Sequence, residues 1–163
     1  MGPLVGCILV GVIIFIFLAI IQRIRTAKKS ALARELTRSK LKTAASQDSV
    51  WDKQAVLEHT RDIFMRYQRD WSTYDLESMK QYMTPEYFNH AALMVTALRQ
   101  ASRQDLVNGP VIKSSVIEEV QDASDNAKDV VTVAFYASAR DVLMDNRTDK
   151  ELFVDTNDFE ESW

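Results

Sequence analysis

The chain has 163 residues, a formal net charge of −3 at pH 7 and a single cysteine, Cys7. This length suits one small domain of roughly 100–150 residues with a short appendage. One cysteine excludes an intramolecular disulfide and a metal site built from several thiolates. The sequence also lacks a glycine-rich phosphate loop and a nucleophile elbow, which argues against nucleotide binding and serine-hydrolase chemistry.

The first 22 residues carry no charged side chain. A helix from Pro3 to Ile21 is close to the ~20 apolar residues that span a bilayer. Nothing basic precedes the apolar stretch, and bulky residues continue to its end, unlike a cleaved secretory signal. We therefore predict an uncleaved transmembrane anchor over residues 1–22.

A basic segment follows the apolar stretch. Residues 22–42 hold eight Lys or Arg against Glu35 alone, whereas residues 43–163 hold 12 basic and 22 acidic residues. Anionic lipid headgroups attract such a segment by roughly 1 kcal/mol per basic residue, so lipid is favoured over nucleic acid as its contact. Positive charge beside a span tends to stay in the cytoplasm, which predicts an outer N-terminus and a cytoplasmic C-terminal domain. The candidate membrane-surface contacts are Arg23, Arg25, Lys28, Lys29 and Arg34.

Apolar residues of the basic segment recur near one helical face, so the span is predicted to continue as a basic helix. A helix on the membrane surface and a solvated helical spacer fit this pattern equally. The polar stretch Thr43–Ser49 then predicts a short linker. Residues 23–49 are accordingly assigned to a juxtamembrane helix and linker, and residues 50–163 to a folded domain.

Three helices are predicted in the first half of this domain. Apolar residues at intervals of three and four predict a long amphipathic helix from Val56 to Tyr74. A short helix follows from Asp75. The third begins at Thr84-Pro85, where a good N-cap precedes a proline at the first helical position. Asn108-Gly109-Pro110 is predicted to end this third helix.

The second half of the domain changes to a period of two. Val111–Val120 and Val131–Ala139 predict strands, with Asp122–Asp129 as the hairpin loop between them. Phe159 and Trp163 predict the inward face of a further strand. Helices followed by an antiparallel sheet indicate an α+β fold in which the helices cover one face of a curved sheet.

Several short motifs of the domain together resemble one family. They are Phe64, Tyr67-Gln68, Trp71, Asp75-Leu76, Thr84-Pro85-Glu86-Tyr87-Phe88, the strand Val133–Phe135 and the ending Phe159-Glu160-Glu161-Ser162-Trp163. The chain resembles, over roughly residues 50–163, the domain of subunit 44 of the mitochondrial inner-membrane import translocase. The resemblance implies a fold similar to nuclear transport factor 2, a cystatin-like cone of helices and bent antiparallel sheet around a pocket. Mitochondrial members tether the matrix heat-shock chaperone to the import channel, and related members attach the mitochondrial ribosome to the inner membrane.

Two departures from the family pattern refine this expectation. The chain has no Arg-rich and Ser-rich transit peptide, and it has an apolar span where the mitochondrial subunit is peripheral. We therefore expect a bacterial inner-membrane member, with the mitochondrial inner membrane as the alternative. Family members usually continue past the Trp that matches Trp163, so we also expect this domain to lack its last strand.

No catalytic residue, cofactor or metal is predicted. His59 and His90 show no metal-ligand spacing. Asp141, Tyr67 and Tyr136 are residue types that some acid–base pockets use, but strand and core roles also account for them. The aromatic residues of the helices instead predict a hydrophobic pocket or groove. The candidate lining residues are Tyr67, Trp71, Tyr87, Phe88 and Phe135.

The sequence thus predicts a non-catalytic, membrane-tethered interaction module. It would recruit a protein partner of translocase, chaperone or ribosome type to the inner face of the membrane. The alternative is a secretion-system assembly subunit with a periplasmic domain of the same general fold, and a small-ligand pocket enzyme is third. The expected partners are a bilayer with anionic lipids and a protein of unknown identity. No nucleic acid is expected, and homo-oligomerisation is left open.

Overall fold

The computed structural model describes residues 31–163. The predicted anchor over residues 1–22 and the basic residues Arg23, Arg25, Lys28 and Lys29 lie outside this part. Within residues 31–163, no helix is both long enough and apolar enough to cross a membrane.

Four helices precede four strands in the described part. Helix α1 covers residues 31–47, and the later helices are α2 (Lys53–Thr73), α3 (Leu76–Met79) and α4 (Pro85–Gln100). The strands are β1 (Arg103–Gln121), β2 (Val130–Asp145), β3 (Lys150–Asp155) and β4 (Asp158–Ser162). Short 3₁₀ turns occupy Ser49–Trp51 and Asn126–Lys128. The predicted α+β class, with helices on a curved antiparallel sheet, is confirmed.

Strand β2 is the centre of the sheet. It pairs with β1 along one edge and with both β4 and β3 along the other, always antiparallel. The predicted strand that carries Phe159 and Trp163 is present as β4 and its continuation. The Trp163 backbone exchanges hydrogen bonds of 2.8 and 2.9 Å with Val133 of β2. The last residues of the described chain are therefore fixed to the middle of the sheet.

Helix α2 packs on the sheet through one central hydrophobic cluster. Its buried members are Leu41, Ala44, Trp51, Val56, Phe64, Ile117, Val120, Val133, Phe135 and Ala137. The rings of Phe64 from α2 and Phe135 from β2 lie 4.8 Å apart between centroids. Both side chains are fully buried. Burying aromatic side chains of this size dominates the energetics of a small core.

The prediction of a linker over Thr43–Ser49 is wrong for residues 43–47, because the chain is still helical there. Leu41 and Ala44 of α1 are buried in the central cluster. The Thr37 hydroxyl also donates a 2.8 Å hydrogen bond to the Glu118 carbonyl oxygen of β1. A narrow apolar stripe is enough to pack a helix whose other faces are polar. The packed unit therefore begins within α1, earlier than the predicted boundary at residue 50.

Helix α4 ends earlier than the predicted stop at Asn108-Gly109-Pro110. It ends at Gln100, and Ser102, with a φ of 54°, turns the chain into β1. Asn108-Gly109-Pro110 lies inside β1, where the register with β2 shifts between Asn108 and Val111. Gly109 has a φ of 59°, a conformation that glycine adopts without steric cost. The glycine therefore forms a bulge in a strand instead of ending a helix.

A buried carboxylate fastens the end of α2 to the segment around α3. Asp70 is 1% exposed and accepts hydrogen bonds from Ser78 (2.5 Å), Arg69 (2.9 Å) and Tyr82 (3.2 Å). Burial opposes ionisation, but these hydrogen bonds outweigh it and lower the pKa of Asp70. Arg66 adds a 3.5 Å ion pair from one turn earlier on α2. The cluster fixes the position at which the chain leaves α2 for α4.

We predict that Asp70→Ala lowers the free energy of unfolding by about 2 kcal/mol. Removing one partner from a buried charged cluster leaves the remaining donors unsatisfied. The loss stays below that of a fully buried ion pair, because the arginines are partly exposed and can bind water instead. Chemical unfolding followed by circular dichroism measures the loss. Asp62→Ala, an exposed aspartate on the same helix, is the control and should change stability little. Equal losses for the two variants would contradict a special role for Asp70.

Candidate functional site

An apolar groove opens between α2, the start of α4 and the ends of β2 and β4. Its volume is about 580 Å³, within the range of roughly 300–1,000 Å³ that is typical of ligand sites. The lining residues are Ile63, Tyr82, Met83, Thr84, Tyr87, Val131, Ser162 and Trp163. No Lys, Arg, Asp or Glu belongs to this lining, so the groove suits apolar or aromatic groups.

Aromatic rings in edge-to-face contact support one wall of the groove. The ring of Trp163 meets Tyr67 edge-on at 4.7 Å and Phe64 at 5.6 Å between centroids. The Trp163 indole N–H donates a 3.1 Å hydrogen bond to Glu161. Burial raises the pKa of Tyr67 well above its ordinary value, and the neighbouring Tyr87 and Glu161 raise it further. The wall is therefore held by contacts on several sides.

The other wall is set by the start of α4. Thr84 caps this helix by accepting a hydrogen bond of 3.3 Å from the backbone N–H of Tyr87, and Pro85 occupies the first helical position. The predicted helix start at Thr84-Pro85 is thereby confirmed. The cap fixes the first turn of α4, which places Tyr87 on the groove with 51% of its surface exposed.

The structure brings part of the predicted lining set together. Tyr87 lines the groove directly, and Tyr67 contacts the lining residue Trp163. Phe135 lies deeper, fully buried against Phe64, and Phe88 is half-buried and outside the lining. Phe135 therefore acts as core, because alternation along β2 places it on the face that α2 covers.

Trp71 lies at a different site from the groove. Its indole N–H donates a 2.9 Å hydrogen bond to Asp105 of β1. Several lining residues of the groove were not predicted from the sequence, among them Ile63, Met83 and Val131. Met83 directly precedes the Thr84 cap, a position where an apolar residue often packs near a helix start. Its position before the cap is therefore the sequence feature from which a role of Met83 near the groove could have been predicted.

A smaller, acidic pocket of about 200 Å³ lies on the sheet beside α2. Gln68 of α2 lines it together with four acidic residues of the sheet. These are Asp141, Asp155, Asp158 and Glu161. The acidic residues are far apart in the sequence and meet through the pairing of β2 with β3 and β4. The acidic pocket therefore cannot be predicted from the sequence unless the strand pairing is known.

Asp141 is the most perturbed group of the acidic pocket. It lies opposite Asp155 across the β2–β3 pair and close to Asp105, the carboxylate that accepts from Trp71. Partial burial and the nearby carboxylates Asp105 and Asp155 raise the pKa of Asp141 to about 6. Neighbouring carboxylates repel one another when charged, so their simultaneous ionisation is disfavoured.

The remaining predicted site residues have other surroundings. Arg34 is exposed and lines, with Arg38 and Lys53, a groove of about 450 Å³ between α1, the start of α2 and β1. His59 and His90 are exposed. Within residues 31–163, no group of three His, Cys, Asp or Glu side chains is placed to hold a metal ion.

These features define an α+β domain with an apolar groove that has aromatic walls. The family model of the Tim44-like domain matches residues 37–159, most of the chain, so the chain belongs to this family. The predicted resemblance is confirmed. The match begins within α1, in agreement with the packing of that helix. Domains of this family are in general non-catalytic modules of a protein-interaction or translocase-associated kind. No curated protein matches the chain.

We predict that Asp141→Asn stabilises the protein near neutral pH. The folded protein holds the Asp141 proton more tightly than the unfolded chain, so this group lowers the free energy of unfolding as pH rises from 3.8 to about 6. Above that range the loss is complete, and the variant avoids it.

Thermal unfolding at about pH 7.5 and about pH 4.5 tests this prediction. We expect a gain in Tm of roughly 2 °C at the higher pH, kept small because Asp141 is partly exposed to water, and a smaller gain at the lower pH. Asp149→Asn, in an exposed turn, is the matched control. A gain in Tm that does not depend on pH would contradict the assignment.

Proposed function

We propose that this protein is a membrane-tethered interaction module that recruits a protein partner to the inner face of the membrane, a bacterial inner membrane being the first expectation. The partner is of translocase, chaperone or ribosome type. The observation that carries the proposal is the apolar groove with half-exposed Tyr87 and the ring of Trp163 on its walls. Membership of the Tim44-like family supports the same class of function.

The composition of the groove favours a protein over a small polar substrate. Aromatic side chains that combine exposed area with a fixed position are the usual anchors of protein interfaces. Tyr87 is held by the helix cap at Thr84, and Trp163 by Tyr67 and Phe64. An apolar side chain of a partner segment would therefore enter a groove that is already formed, which lowers the entropic cost of binding.

The packing of α1 on the domain is consistent with a tether that holds the domain near the membrane. Residues 1–22 are the proposed anchor, and the basic segment after it would contact anionic lipids. Since Leu41 and Ala44 are buried in the domain core, α1 cannot swing freely relative to the sheet. The domain would therefore be carried close to the membrane surface, with Arg34 on the exposed side of α1.

Site-specific crosslinking in a bacterial host tests the groove directly. A photoreactive amino acid replaces Tyr87 in the full chain, and the matched control places it at Leu93. Leu93 lies on the same helix with 67% of its surface exposed and is outside the groove lining. We expect adducts at position 87 with a translocase, chaperone or ribosomal protein, identified by mass spectrometry, and much weaker adducts at position 93.

Two results would contradict the proposal. Equal crosslinking at the two positions would show that the groove has no preference for the partner. Crosslinking at position 87 to lipid alone would show that the groove contacts the membrane and does not bind a protein.

A further inference from the structure

Gln68 is a largely buried polar residue whose side-chain amide has no partner in the described part of the chain. It is 5% exposed, lies between Phe64 and Trp71 on the face of α2 that packs on the sheet, and lines the acidic pocket. Its side-chain amide makes no hydrogen bond with any residue of the described range 31–163. The amide is not among the fully enclosed side-chain atoms that lack a partner in the described residues, so it reaches the open space of the pocket. The amide is therefore available to hydrogen-bond a group that enters the pocket.

The carboxylates around Gln68 also lack a positive partner. Among the described residues, no Lys or Arg nitrogen lies within ion-pair distance of Asp105, Asp141, Asp155 or Glu161. Asp158 differs, because Lys113 and Tyr136 both bind it. Negative charge without a cationic partner thus remains around the pocket, with Asp141 between Asp105 and Asp155. A cation that enters there would relieve the repulsion between neighbouring carboxylates.

The donor set of the pocket selects the chemistry of that cation. The acidic residues are not arranged as a metal-binding group, and an amide oxygen beside spaced carboxylates suits a group with several N–H donors. The volume of about 200 Å³ accommodates one ammonium or guanidinium group with a short stem. Its lining contains four carboxylates, whereas the lining of the apolar groove contains none.

We propose that the acidic pocket binds one primary ammonium or guanidinium group, which donates hydrogen bonds to Gln68 and to the carboxylate of Asp141. The group belongs either to a free small amine or to a Lys or Arg side chain of another protein. This binding site is independent of the apolar groove and of the proposed recruitment of a partner.

Nuclear magnetic resonance of the full chain in detergent micelles, labelled with ¹⁵N at Gln and Trp, tests the site. The indole N–H of Trp71 reports on the pocket, because it is hydrogen-bonded to Asp105 beside Asp141. The first probe is agmatine, a free amine with a guanidinium group. The second is a capped Gly-Gly-Arg-Gly-Gly peptide, which presents the same group from a polypeptide. Choline and sodium chloride at equal ionic strength control for charge without N–H donors.

We expect saturable shifts of the Gln68 amide and the Trp71 indole with agmatine, the peptide or both. Tighter binding of the peptide identifies a protein side chain as the source, and tighter binding of agmatine a free amine. Asp141→Asn should weaken binding at least about fivefold, and Gln68→Met should weaken it while keeping a similar shape. Asp149→Asn should leave the affinity unchanged.

Three outcomes would overturn the proposal. Shifts of equal size with choline or sodium chloride would show a general response to charge. Unchanged affinity in both Asp141→Asn and Gln68→Met, with the spectrum of the folded protein retained, would place binding elsewhere. No shift with either probe would mean that only water fills the pocket.

Discussion

The contact between Phe64 and Phe135 is the interaction on which the rest of the structure depends. It joins the middle of α2 to the middle of β2, and both rings are removed from water. Once Phe64 is fixed, the helical repeat places its neighbours on defined sides. Ile63 reaches the apolar groove, and Gln68 reaches the acidic pocket. Trp163, directly after β4, completes the arrangement through an edge-to-face contact with Phe64.

This arrangement gives the domain two openings of different chemistry on either side of one aromatic cluster. Trp163 lies on the wall of the apolar groove, and its indole N–H is bound to Glu161, which lines the acidic pocket. Neither opening has the donor arrangement of a metal site within residues 31–163. The architecture therefore suits recognition, with an apolar surface and a separate acidic site, in keeping with the general character of the Tim44-like family.

The sequence predicted the features that depend on neighbouring residues. Thr84 and Pro85 determine the start of α4 locally, and the alternation around Phe135 identifies β2 without reference to the rest of the chain. Features that depend on packing or register were not predictable in this way. The burial of Leu41 in α1 depends on a surface that β1 supplies. The Asn108-Gly109-Pro110 sequence is typical of a helix stop, but Gly109 lies in a bulge that only the β1–β2 pairing defines. The acidic pocket could not be predicted either, because its carboxylates meet only through strand pairing.

Recruitment at the inner face of the membrane requires the domain to lie in the cytoplasm, and a pair of topology reporters measures this most directly. One reporter is active only in the cytoplasm and the other only outside it, and each is fused to the C-terminus of the full chain in a bacterial host. We expect activity of the cytoplasmic reporter alone. Activity of the outer reporter alone would contradict it and favour a secretion-system subunit whose domain lies in the periplasm.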